Sequence, residues 1–233
     1  MKLQHLKGIE LSGVYYFHKE SFIMTTATQT ASKSRKRVTT RSLVVTAMLS
    51  AVAFVLMFIE VPIPMLIPSF VKLDISDLPA LLGSFALGPV YGVVVELIKN
   101  LLHILIKGTS SAYVGELFNF TMGAVMCLSA GLIYHFRKNR SGAVIASLVG
   151  CALMAVLSVP FNYFMVYPAY VVCYGMPMEA IIGMYQAILP SANSLLKCLV
   201  IFNLPFTFCK GLIDAILCFL IYKPLSPLMH GRQ

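Results

Sequence analysis

The chain has 233 residues, of which 58% are hydrophobic and only 12% charged, and its mean hydropathy is +0.83. A soluble domain carries roughly 25% charged residues, so this composition excludes an ordinary soluble enzyme and leaves room for one helical membrane domain. The net charge of +9 is spread over segment ends, which excludes a basic nucleic-acid-binding patch.

Residues 1–41 are polar and basic and end in KSRKRVTTR. No apolar core follows a short charged start, so this is no secretory signal. Met24 opens the leader MTTATQTASKSRKR and is the expected biological start. A first helix is predicted over Ser42–Ile59, 18 residues without a charge. Pro62, Pro64 and Pro68 then turn Glu60–Ser76 into an ordered loop. Asp77–Gly88 reads as a short apolar second helix, with Ser76 as N-cap and Pro79 in the first turn. After a Gly88-Pro89 turn come a third helix over Val90–Ile106 and a fourth over Glu116–Phe136. Ser141–Met178 is uncharged for 38 residues. At about 1.5 Å per residue that exceeds one ~30 Å crossing. Pro160, Pro168 and Pro177 are expected to divide it into a fifth helix and an outer loop reaching about Pro190. Leu195–Tyr222 is the sixth helix, and 224–233 is a short tail.

Six helices place both termini on one side. Lys33, Arg35, Lys36, Arg37, Arg41, Arg137, Lys138, Arg140, Lys223 and Arg232 collect there, and the opposite loops hold only Lys72 and Lys107. The positive-inside rule makes the basic side cytoplasmic. The expected fold is therefore an all-α, multi-pass membrane protein whose 42–223 domain has six transmembrane helices.

Several polar groups interrupt these spans. Glu96, Lys99, Asn100 and His103 recur at helical spacing on one face of the third helix. That pattern fits a structural ion pair and equally a ligand site or gate. Lys210 and Asp214 are four apart on the sixth helix, and Asn119 and Asn162 are intramembrane amides. A charge near the bilayer centre costs about 2.5–3.5 kcal/mol on insertion scales, so such residues pair inside a bundle or line a cavity. Ala47 and Ala51 form a small-xxx-small pair on the first helix that admits close helix approach. The six cysteines are scattered singly and read as small buried hydrophobes, with no metal-ligand spacing. The chain carries no GxxxxGK[ST], HExxH or GxSxG motif, so neither ATP binding by a P-loop nor hydrolase chemistry is expected of it.

The order KLDISDLPALLGSFALGPVYGVVVELIKNLLH, VGELFNF, NYFMVYPAY, PFTFCKG resembles the substrate-binding S components of energy-coupling factor (ECF) vitamin transporters, within them the riboflavin-specific type. The resemblance covers about residues 42–223. It implies a six-helix fold with cytoplasmic termini, and capture of riboflavin, as transported ligand and not cofactor, from outside under the Glu60–Ser76 loop. It also implies docking of a transmembrane coupling subunit on Ala47 and Ala51, and ATP hydrolysis by two cytoplasmic ATPase subunits. The type commonly shows PFN-x-x-K-G on the sixth helix; here Thr207 replaces the amide, and Asn203, one turn earlier, is a candidate to compensate. Asp74, Asn119, Asn162, Thr207 and Lys210 are the expected polar contacts to the ligand. Two alternatives stay open: an S component for another vitamin or a flavin nucleotide, with Lys72, Lys107 and Lys210 on its phosphate, or a stand-alone secondary transporter driven by protons through Glu96, Lys99 and His103.

Overall fold

In the computed structural model, residues 39–68, 71–109 and 111–230 are described, with side chains as far as 222. The basic leader with Met24, and residues 231–233, lie outside them. Helix α1 spans Thr40–Met57, α2 Leu78–Ala86, α3 Pro89–Lys107 and α4 Val114–Phe136. Then come α5 over Arg140–Phe161, α6 over Tyr167–Tyr174, α7 over Met178–Gln186, α8 over Leu195–Cys198 and α9 over Leu204–His230. Two-residue strands β1 (Val61–Pro62) and β2 (Lys72–Leu73) pair antiparallel in the loop after α1. Among the described residues, five helical stretches are long and apolar enough to cross a membrane: α1, α3, α4, residues 140–174 and residues 195–222. In lipid the backbone must satisfy its own hydrogen bonds, which is why these segments stay helical throughout.

Helix α2 does not reach that length. Every residue from Leu78 to Phe85 is buried, as expected of a helix apolar all round and packed among others. Leu81, Leu82 and Phe85 meet Met122 and Met126 of α4, Met154 of α5 and Ala215 of α9 in the main core. Its N-cap is Asp77 rather than Ser76, and the Asp77 carboxylate makes no capping bond because two lysines take it. The turn into α3 rests on Gly88, whose φ of 121° an L side chain rarely adopts.

The proline expectation fails at two of three positions. Pro160 lies inside α5 and Pro168 in the first turn of α6, and the helix runs on through both to Tyr174. A five-residue π-turn, Asn162–Val166, joins the two helices. A second π-turn, Leu199–Asn203, ends two residues before Pro205 in the same way. Proline lacks an N–H and crowds the carbonyl one turn back, and local π geometry is one adjustment that absorbs this without leaving the helix. Helix α7 covers part of the segment expected as loop. Its Ile181 and Tyr185 pack with Ile67, Tyr167, Cys198 and Leu199 in a second core. The sixth expected helix also continues in backbone past Tyr222 to His230.

Candidate functional site

Helix α3 turns its polar stripe inward. Glu96, Lys99, Asn100 and His103 are buried on the same face as Gly92 and Val95, while Leu97, Leu101 and Leu105 face out. An ammonium in that interior requires acceptors. Lys99 Nζ binds Asp77, lies 2.8 Å from Glu96 Oε2 and donates to Ser76 Oγ at 2.9 Å. Gly123 on α4 leaves room for the Glu96 carboxylate; an added Cβ there would collide with it.

Asp77 holds a second lysine with its other oxygen. Lys210 Nζ sits 3.1 Å from Asp77 Oδ2 and 2.9 Å from Asp74 Oδ2. The ion pairs thus run continuously from α9 through the residues ahead of α2 to the middle of α3. Asp74 also accepts from the Ser76 backbone N–H at 2.9 Å, which orders the loop. Burial pushes the Asp74 carboxyl up, but the Lys210 and Lys99 ammonium groups and the Ser76 hydroxyl together outweigh it and hold the group below its ordinary value. Lys210 and Asp214, four apart on the helix, form no ion pair with each other among the described residues; Lys210 turns to Asp74 and Asp77. Asp214 is buried on α9, and neither of its oxygens makes a hydrogen bond among the described residues.

Lys210, Asp74 and Asp77 also border a cavity of about 490 Å³. All five expected ligand contacts, Asp74, Asn119, Asn162, Thr207 and Lys210, lie on its wall. They come from the first loop, α4, the π-turn after α5, and α9. Met57, Phe118, Met122, Met154, Val166 and Phe206 supply apolar surface between them. The volume and this mix of apolar wall and a few polar groups suit a small-molecule ligand. Asn162 Nδ2 donates to the Ser158 carbonyl at 2.9 Å, and Asn119 Oδ1 accepts from Asn100 at 3.4 Å.

Asn203 reaches the same cavity, but its amide is committed elsewhere. Its Oδ1 accepts from Tyr185 Oη at 2.7 Å, its Nδ2 donates to Tyr167 Oη at 3.2 Å, and the two phenols bond each other. It therefore ties α6 and α7 to the π-turn ahead of α9 instead of standing in for the amide missing at 207. Sequence reasoning missed Tyr167 and Tyr185; a buried phenol needs a partner, but which one depends on the packing of α7.

The more exposed part of the wall carries Glu60, Lys72 and Lys107. Glu60 Oε1 is 2.9 Å from Lys72 Nζ and 2.6 Å from Lys107 Nζ. These side chains are 27%, 42% and 38% exposed, against 13% for Lys210, so they mark the end open to solvent. His103 Nδ1 lies 3.6 Å from Glu116 beside them, and Glu116 accepts from Thr109 and Ser111. Ala47 and Ala51 lie away from the cavity on the exposed face of α1, among Leu43, Val44, Met48, Val52 and Val55.

A family model for the ECF transporter, substrate-specific component, matches residues 41–222. The riboflavin transporter RibU of Staphylococcus aureus (strain TCH60) is 36% identical over 190 residues, covering 80% of this chain and 90% of its own. The riboflavin transporter FmnP of Bacillus subtilis (strain 168) is 33% identical over 195 residues, covering 83% and 96%. A solved structure of the S component of a bacterial ECF transporter superposes with a TM-score of 0.63 at 32% identity, covering 81% of this chain and 97% of that one.

Proposed function

The chain belongs to the substrate-specific components of ECF transporters, and from that premise we propose that it captures riboflavin outside the cell and delivers it inward as the binding subunit of an ECF importer. It is a multi-pass protein of the cell membrane and a transport subunit, not an enzyme. The observation that carries the reading is the cavity, in which five polar groups from four separate segments converge between apolar walls. An isoalloxazine ring needs those walls, and its edges and ribityl hydroxyls need a few placed donors and acceptors.

In this reading Lys210 donates to a ring carbonyl or a ribityl oxygen while Asp74 holds its ammonium in place. Asn119, Asn162 and Thr207 complete the polar contacts, with the Thr207 hydroxyl reaching less far than an amide. The short α2, buried from Leu78 to Phe85, counts as the second of six membrane segments, which returns both termini to the cytoplasmic side. The outward face of α1 at Ala47 and Ala51 receives the transmembrane coupling subunit, and two cytoplasmic ATPase subunits hydrolyse the ATP. The ion pairs that engage Glu96 and Lys99 inside the bundle favour a packing role for the α3 stripe over a proton path.

Quenching of flavin fluorescence by the detergent-purified chain tests the substrate. Saturation at one riboflavin per chain without ATP is expected, with nanomolar affinity, near −12 kcal/mol, within reach of such a pocket. No saturable quenching, together with binding of thiamine or biotin, overturns the assignment.

A further inference from the structure

Lys72 and Lys107 approach one another at the solvent-facing end of the cavity although they come from different elements, β2 and the last turn of α3. What joins them is the single Glu60 carboxylate, which accepts from both through Oε1. Lys107 also lies over the Phe58 ring, 5.4 Å from its centroid. Two ammonium groups converging on one cavity wall are a common means of holding a phosphate monoester, which brings about −1.5 to −2 charge and three strong acceptors. Here that place is already taken.

Charge around the whole cavity points the same way. Its described wall holds the ammonium groups of Lys72, Lys107 and Lys210 against the carboxyl groups of Glu60, Asp74, Asp77 and Glu116. Lys210 is bound by Asp74 and Asp77, so each of the three cations has a carboxylate partner. Burial pushes the Glu60 carboxyl up, but hydrogen bonds from Lys107 and Lys72 outweigh it and hold it below its ordinary value. The negative charge is thus in place at neutral pH. A phosphate entering here must displace Glu60 from its lysines or lie against it, and both are unfavourable. A neutral polyol chain meets no such obstacle.

We propose that Glu60 is the specificity-determining residue that holds the site to the unphosphorylated flavin, by occupying the two lysines that would otherwise bind a phosphate monoester. This rests on the riboflavin reading and adds to it the residue that decides between vitamin and nucleotide.

The test is paired titration of the purified full chain with riboflavin and with flavin mononucleotide. The unaltered chain is expected to bind the nucleotide more weakly. Glu60→Gln keeps an acceptor but frees both cations. It should narrow the gap by about tenfold or more, the factor of one charge-assisted hydrogen bond, while riboflavin affinity moves by less than about threefold. Adding Lys72→Gln and Lys107→Gln to that variant should reopen the gap. An unchanged ratio in Glu60→Gln with riboflavin still bound overturns the proposal, as does equal affinity of the unaltered chain for both ligands. Should Glu60→Gln not fold, Lys72→Gln and Lys107→Gln alone decide the matter. They should leave the ratio within about threefold, and a selective loss of nucleotide binding of about tenfold would show that the lysines take phosphate despite Glu60. Absence of saturable riboflavin quenching in the unaltered chain removes the substrate reading itself, and the proposal with it.

Discussion

Lys99 and Lys210 share Asp77 but face different surroundings, and their removal should read out differently. Lys99 is fully buried, so Lys99→Ala strips the buried Glu96 carboxyl group of its ion-pair partner and leaves Asp77 with Lys210 alone. Removing one partner of such a pair costs about 3–5 kcal/mol, and a marked fall in melting temperature or loss of folded protein is expected. Lys210 borders the cavity, and without it Asp77 still has Lys99. Lys210→Ala should therefore weaken riboflavin binding about 10–150-fold while the chain still folds. Unchanged affinity with a lowered melting temperature would make Lys210 a structural brace only. Acid acts on the same groups. Glu60 and Asp74 are held below their ordinary values of 4.5 and 3.8, so what they contribute is full above those values and lost as pH falls through the lower folded ones. Thermal melts followed against pH should show no loss from these two groups down to about pH 5 and a loss in stronger acid.

At the level of elements, Gly123 shows how tightly α3 and α4 are fitted. An alanine Cβ there would meet the Glu96 carboxylate, which Lys99 pins in place. Gly123→Ala should destabilise by about 1–3 kcal/mol through overpacking, against the small gain alanine brings to a helix. Calorimetry or a thermal-shift assay in detergent checks this, and an unchanged melting temperature would mean that Glu96 is free to move aside. The helices themselves were legible in the sequence, because a span free of charge between basic ends leaves a backbone in lipid few other options. Pro160 and Pro168 misled, since helix breaking is a rule for water, where freed carbonyls find solvent. The α3 stripe was legible as a face, but its partners were not. Spacing along one helix left Lys210 between Asp214 and a contact to ligand or loop, and three-dimensional packing brought Asp74 and Asp77 within 3.1 Å. The five polar residues proposed for the ligand were candidates in the sequence, Lys210, Asn119 and Asn162 as polar groups inside apolar spans, and their shared cavity appears only in the fold. Neither the Tyr167–Tyr185–Asn203 cluster nor Glu60 between its two lysines has a sequence signal, because each joins segments far apart in the chain.

Considered whole, the molecule keeps its cavity and the exposed face of α1 on different surfaces. Ala47→Trp and Ala51→Trp place a large side chain where close approach of a coupling subunit is proposed, and neither residue lines the cavity. Riboflavin binding should survive in both variants, while uptake into cells and copurification of the coupling subunit fall. Normal ATP-dependent uptake by both would return the pair to ordinary lipid-facing positions. The proposed six-segment topology puts both termini on one side. Tags at either end should then be cleaved by protease only in inverted vesicles, and cleavage of one tag in right-side-out vesicles would contradict it.

The buried Asp77–Lys99–Glu96 cluster also constrains how the chain is made. As α3 leaves the ribosome and enters the translocon, Glu96 and Lys99 each oppose its partition into lipid by about 2.5–3.5 kcal/mol. Glu96 travels on the same helix, and Asp77 has already emerged, joined through the tight Gly88-Pro89 turn. The α2–α3 hairpin can therefore enter the bilayer with Lys99 already paired, the one carboxylate in excess waiting for Lys210 on α9. Nascent chains arrested far enough past Lys107 for α3 to clear the ribosome should be integrated, as read by glycosylation mapping, and the same chains carrying Asp77→Ala and Glu96→Ala, which strand Lys99 without a partner, should be integrated less. Equal integration of both would show that α3 crosses unaided and that its ion pairs form only after release into the membrane.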